Sequence, residues 1–97
     1  MEKRMTIQEL KKTIAPIVLA EGIVRSALFG SVVRGEADDE SDIDVLVEMP
    51  SGKSLFDLVG LKLKLEDAVG RPVDLVTYGS LHPLLRENIE RELVPLT

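Results

Sequence analysis

The run Ser41-Asp-Ile-Asp-Val-Leu-Val-Glu48 constrains the fold more than any other stretch of this chain. Ile43, Val45 and Val47 alternate with Asp42, Asp44 and Leu46, a period of two that belongs to an extended strand. Residues two apart in a strand project to the same side, roughly 6 to 7 Å apart along the chain. One face of this strand is therefore apolar, and the other begins with two carboxylates. The register is pinned, because a slip by one residue would bury both aspartates.

Helical periods surround it. Thr6 precedes Glu9 at capping-box spacing. Ile7, Leu10, Ile14, Ile17 and Val18 recur at helical intervals, predicting a helix over 6–20 that Glu21-Gly22 closes. Pro16 is discordant and predicts a kink or an early stop. Residues 23–29 read as a strand broken by Gly30-Ser31, 32–34 as a short helical turn, and 35–41 as polar, acidic loop. After the 42–48 strand and the Pro50-Ser51-Gly52 turn, Ser54 caps a second long helix. Leu55, Leu58, Val59, Lys62, Leu65 and Val69 form its expected buried stripe, and Gly70 stops it. Arg71-Pro72 enters a third strand over 73–78, followed by a third helix over 82–93 and an edge strand over 94–96.

The link between the first two strands is too short for a helical crossover, so they are expected to run antiparallel or to be joined by a tight helical turn. The expected class is α/β (α+β): a small mixed β-sheet with helices packed largely on one face. The 97 residues are read as a single domain over 1–97.

Composition narrows the function classes. The formal net charge is -5, which argues against extensive gripping of a nucleic-acid backbone, because neutralising phosphates needs Lys and Arg. Cysteine is absent, which excludes disulfides and thiolate metal sites. No apolar run approaches the length of a membrane span and no signal-type stretch follows Met1-Glu2-Lys3-Arg4, so a cytoplasmic location is expected.

Asp42 and Asp44 side by side are electrostatically unfavourable without a cation. Carboxylates suit hard ions, which points to Mg²⁺ or Mn²⁺. Asp38, Asp39 and Glu40 deepen the negative field. If the second and third strands are neighbours, Asp74 joins the same face and completes a three-carboxylate cluster. Gly30 after Ala27-Leu28-Phe29 lets the backbone turn sharply and approach a ligand. The turn beyond it would aim amides at an anion, with Ser31 adding a hydroxyl and Arg34 a forked cation. A nucleoside triphosphate carrying Mg²⁺ would bridge these two halves.

Gly30-Ser31, ten intervening residues and Asp42-x-Asp44 together resemble the fingerprint of the DNA polymerase beta superfamily of nucleotidyltransferases. The stretches Phe29–Ala37 and Ser41–Val47 resemble the minimal nucleotidyltransferases, the MntA-type antitoxins, and the likeness continues through Arg71–Val76 and Leu84–Glu92. This resemblance implies a polymerase-beta-like core and metal-dependent transfer of a nucleoside monophosphate, AMP from ATP above all. It implies catalytic and metal-binding roles for Asp42, Asp44 and Asp74 with two Mg²⁺ ions, or Mn²⁺, the third aspartate assisting deprotonation. Gly30, Ser31 and Arg34 would bind nucleotide. The implied partner is a helical HEPN-type toxin whose tyrosine receives AMP, making this chain the antitoxin of a type VII toxin–antitoxin pair. With the sequence ending at Thr97, the acceptor site is expected to come largely from that partner, and an oligomer is compatible with the pattern.

Plainer readings stand beside these. Taken alone, Gly30 is a turn glycine, Asp42 and Asp44 are solvated strand-end residues or part of a calcium loop, and Arg34 pairs with the acidic loop as readily as with phosphate. His82 before Pro83 reads as a helix start. Arg86, Glu87, Glu90, Arg91 and Glu92 read as a solvated helix face with i,i+4 pairs. Two rival functions remain: an antitoxin that neutralises its partner by occlusion, and a nucleotidyltransferase acting on RNA or a small molecule.

Overall fold

The computed structural model describes residues 6–36 and 41–96. The acidic segment Asp38-Asp39-Glu40 and the Met1–Arg4 start lie outside the described residues. Helix α1 spans Ile7–Ala20. The Thr6 hydroxyl accepts from the Glu9 amide at 3.1 Å, and the Glu9 carboxylate accepts from the Thr6 amide at 2.9 Å, so the expected capping box is present. Leu10, Ile14 and Val18 are its buried stripe. The expected stop at Pro16 does not occur, and the helix continues past it to Ala20. Pro16 and Lys12, the residue whose carbonyl loses its helical donor, are both exposed, so water can replace the missing bond. The helix ends where Gly22 adopts φ 73°. The Gly22 amide donates to Leu19 O at 3.1 Å and the Ile23 amide to Val18 O at 3.0 Å, while Ile23 packs into the core.

Strand β1 is Arg25–Phe29, and Ser31–Arg34 forms the one-turn helix α2. Strand β2 is Ile43–Glu48 and pairs antiparallel with β1, so both expectations for this connection hold. Helix α3 spans Leu55–Val69 with Ser54 and Asp57 in a second capping box. Strand β3 (Val73–Thr77) pairs parallel with β2, Ile43 opposite Val73 and Asp44 opposite Asp74. A 3-10 turn at Tyr78–Ser80 leads to helix α4 (Pro83–Glu90), and β4 (Val94–Pro95) adds to the free side of β1. Among the described residues the sheet order is β3-β2-β1-β4.

The registers sort the sheet into two faces. Ser26, Leu28, Ile43, Val45, Val47, Val73, Leu75 and Val94 share one, and most join the core with α1 and α3. Asp44 and Asp74 lie on the other with Phe29, Leu46 and Val76. The predicted alternation of β2 is therefore correct, although Leu46 on the other face is also fully buried.

The α3 stripe is displaced from the expected one. Leu58, Leu61, Leu65 and Val69 face the core, whereas Leu55 is 74% and Val59 47% exposed. Leu61 is the residue that the sequence spacing passed over, since several stripes fit so apolar a helix. The Glu66 carboxylate accepts from Lys62 Nζ at 2.8 Å and from the Val73 amide at 2.9 Å, anchoring the end of α3 to the start of β3.

Helix α4 links β3 to β4, the two outer strands of the sheet. Because β4 is parallel to β2 and β3, the links β2–α3–β3 and β3–α4–β4 are both parallel crossovers, taken in opposite directions along the sheet. The general right-handedness of such crossovers would set α4 on the side of the sheet away from α3. His82 caps it as expected, its Nδ1 accepting from the Leu84 amide at 3.2 Å. The helix is shorter than predicted and has no buried residue. Among the described residues no helix is long and apolar enough to cross a membrane.

Candidate active site

The phosphate-loop candidate and the carboxylates meet at the paired ends of β1 and β2, where Phe29 lies opposite Asp44. Gly30 follows immediately with φ 78° and ψ -151°, a region open essentially to glycine alone. A Cβ at this position would stand 2.2 Å from Asp44 Oδ2 and 3.0 Å from its Cγ. The backbone of Gly30 thus occupies the space beside the carboxylate that any side chain would fill. Gly30 O accepts from the Val33 and Arg34 amides at 3.1 and 3.2 Å, winding α2 directly from this point. The first amides of such a turn have no carbonyl partner within it and face outward. Ser31, half-buried, opens the turn, and Gly35 closes it at φ 75°.

Asp44 is half-buried, whereas Asp42 and Asp74 are exposed. Burial first, then the Asp74 and Asp42 carboxylates, push the Asp44 pKa up to about 6, with Arg34 opposing the shift. The other two predicted aspartates therefore both act on Asp44, and Asp74 reaches it through the parallel pairing that the sequence left as an inference. The three do not form a ready-made coordination sphere, however. Among the described residues no group of three His, Cys, Asp or Glu side chains could hold a metal ion as it stands, which corrects the expectation of a completed cluster. The donor set still fits a hard divalent ion: three carboxylates on one end of one face, with the charge of the central one already destabilised.

Asp42 lies just outside β2, and two contacts from the start of β3 set its position. Arg71 Nη2 donates to the Ser41 carbonyl, and the Ile43 amide donates to Pro72 O at 2.9 Å. The sequence marks Arg71-Pro72 as the entry into the strand and as the start of a stretch resembling the family, and gives no sign of this contact with Ser41.

Arg34 sits at the end of α2. Its Nε donates to Glu36 at 2.9 Å and its Nη1 to Glu92 at 3.2 Å. The first contact matches the expected pairing with the acidic loop. The second corrects the reading of Glu92 as part of a solvated helix face: residue 92 follows α4 and returns to the site. The Glu87–Arg91 pair of that face is present, at 3.1 Å.

A family model described as a nucleotidyltransferase domain matches residues 7–96. A protein of Methanocaldococcus jannaschii provisionally named a protein adenylyltransferase is 51% identical over 90 residues, 93% of this chain and 97% of that protein. The protein adenylyltransferase MntA of Thermococcus cleftensis is 40% identical over 73 residues, 75% of this chain and 74% of MntA. Among solved structures, one provisionally described as a minimal nucleotidyltransferase superposes with a TM-score of 0.83 at 40% identity, covering 96% of this chain and 98% of that one. The MNT antitoxin in complex with a tri-AMPylated HEPN toxin from Shewanella oneidensis shares the fold, with a TM-score of 0.71 at 23% identity over 93% of this chain and 71% of that one. With a glycine turn set against paired strand aspartates, and a family match running nearly end to end, this chain belongs to the nucleotidyltransferase domain family and is an enzyme of that class.

Proposed function

We propose that this protein transfers AMP from ATP to a tyrosine of a HEPN-type partner and so acts as its antitoxin. The observation that carries the reading is the fit of Gly30 against Asp44, where a Cβ would lie 2.2 Å from the carboxylate oxygen. That fit brings an anion-binding turn and a cation-binding carboxylate to one point, as a metal-bound triphosphate requires. The names of the M. jannaschii and T. cleftensis relatives support protein as the acceptor. The S. oneidensis HEPN toxin in complex with its MNT antitoxin neighbour supports the partner class.

In this reading Asp42, Asp44 and Asp74 hold divalent ions, Mg²⁺ or Mn²⁺, which when bound neutralise the triphosphate and favour pyrophosphate as leaving group. Gly30 and Ser31 receive the phosphates through amides and a hydroxyl, and Arg34 supplies a positive charge beside them. The Asp74 carboxylate takes the proton of the incoming tyrosine hydroxyl. The hydroxyl oxygen then forms a bond to the α-phosphorus as the bond to the β-phosphate oxygen breaks. Catalysis comes mainly from positioning and from charge stabilisation. The acceptor side of the site comes from the partner.

Incubation with labelled ATP, Mg²⁺ and the product of a neighbouring helical reading frame should place label on a partner tyrosine, located by mass spectrometry. The double substitution Asp42→Asn with Asp44→Asn should abolish it. Label that persists would refute the assigned site. Neutralisation of the partner that persists without label would favour occlusion.

A further inference from the structure

We propose that Glu92 is a positioning residue for Arg34, holding its guanidinium where the triphosphate meets it; this rests on the reading that Arg34 contacts phosphate. The guanidinium is held by two chain segments. Glu36, on the same turn, takes Nε at 2.9 Å, and Glu92, 58 residues away in sequence, takes Nη1 at 3.2 Å. Neither bond uses Nη2. Two carboxylates on different nitrogens fix the plane of the fork, which one flexible neighbour on an exposed turn does not.

Glu92 is itself well anchored. Its amide donates to Ile89 O at 2.9 Å, and two residues later Val94 pairs with Leu28 of β1. The same strand ends at Phe29 and turns at Gly30, so the carrier of Glu92 and the phosphate turn share one support. An ordered arginine binds an anion more tightly than a free one, because less rotamer freedom is lost on binding.

Charge alone predicts the opposite sign. A carboxylate beside an anion site repels the ligand, so its removal should tighten binding if geometry contributes nothing. The affinity of the protein for ATP with Mg²⁺, measured by isothermal titration calorimetry alongside the melting temperature, therefore decides the matter. Glu92→Ala should weaken ATP binding about 3- to 10-fold. Glu92→Gln, which keeps an oxygen acceptor for Nη1, should stay within about twofold of the parent. Unchanged or tighter binding in Glu92→Ala would overturn the proposal, as would an equal loss in both variants. Arg34→Ala separates the two levels of inference. If it leaves ATP affinity unchanged, the phosphate role of Arg34 is wrong; if it weakens binding while Glu92→Ala does not, only the role of Glu92 is wrong.

Discussion

Replacing Gly30 by alanine tests the central juxtaposition of the site. Two separate penalties arise. The backbone at φ 78° and ψ -151° is strained for any residue with a side chain, by about 1–3 kcal/mol. The new methyl would also meet Asp44 Oδ2 at 2.2 Å, so the carboxylate must retreat by about 1.2 Å to reach ordinary contact. Rotation about the Asp44 side chain gives only partial relief, because its Cβ already stands 3.3 Å from the new methyl position. Forcing that side chain from its rotamer adds about 0.5–1.5 kcal/mol. Together these predict a loss of about 2–4 kcal/mol, a fall in Tm of roughly 10–25 °C for a domain of this size. Displacement of the carboxylate by about 1 Å predicts a transfer rate lower by about 10²-fold. Calorimetric unfolding of four proteins separates the components: parent, Gly30→Ala, Asp44→Ala and the double variant. In the Asp44→Ala background the alanine should cost less by about 0.5–1.5 kcal/mol, since the overlapping carboxylate is gone. Equal costs in both backgrounds would refute the steric reasoning, and an unchanged Tm in Gly30→Ala would refute all of it.

Two further outcomes follow from the site and the core. The Asp44 pKa is raised from 3.8 to about 6, so its proton favours the folded state below pH 3.8, and that contribution is lost as pH rises through 6. Discounted for half-exposure, the loss is on the order of 1–2 kcal/mol. Asp44→Asn should therefore be more stable than the parent at pH 8 without metal and lose the advantage at pH 4; parallel stability profiles would contradict this. Leu65→Ala, at a fully buried position, should destabilise by about 2–5 kcal/mol, while Leu55→Ala, 74% exposed, should stay within about 0.5 kcal/mol. Similar denaturation midpoints for the two would show that the α3 stripe is misplaced.

What the sequence made legible was local chemistry. Thr6 with Glu9, Ser54, Gly22 and Gly70 marked helix ends because caps depend on a few adjacent residues. Asp42 and Asp44 were legible because strand alternation is itself local. Asp74 required knowing that β3 lies beside β2, a tertiary fact that the sequence permitted without fixing. The α3 stripe was misjudged because Leu55, Val59, Leu61 and Leu63 supply apolar residues all around the helix, so periodicity had little contrast to read. Glu92 and Arg71 were missed for a different reason: each acts on a residue some 30 or more positions away, and nothing in their own neighbourhoods marks them.

The crossing of α4 gives the molecule a hierarchy of stability. Helices α1 and α3 seal a continuous core on one side of the sheet, whereas α4 is an eight-residue helix with no buried side chain, followed by the two-residue strand β4 and the core residue Leu96. With no buried side chain, α4 is the part of the C-terminal segment that opens first, while Leu96 stays in the core and β4 stays paired with β1. Such an excursion would loosen α4 while the strands bearing Asp44 and Asp74, and the Val94 pairing beside Glu92, stay in place. The fold thus permits local breathing of one exposed helix without dismantling the strands that carry its aspartates.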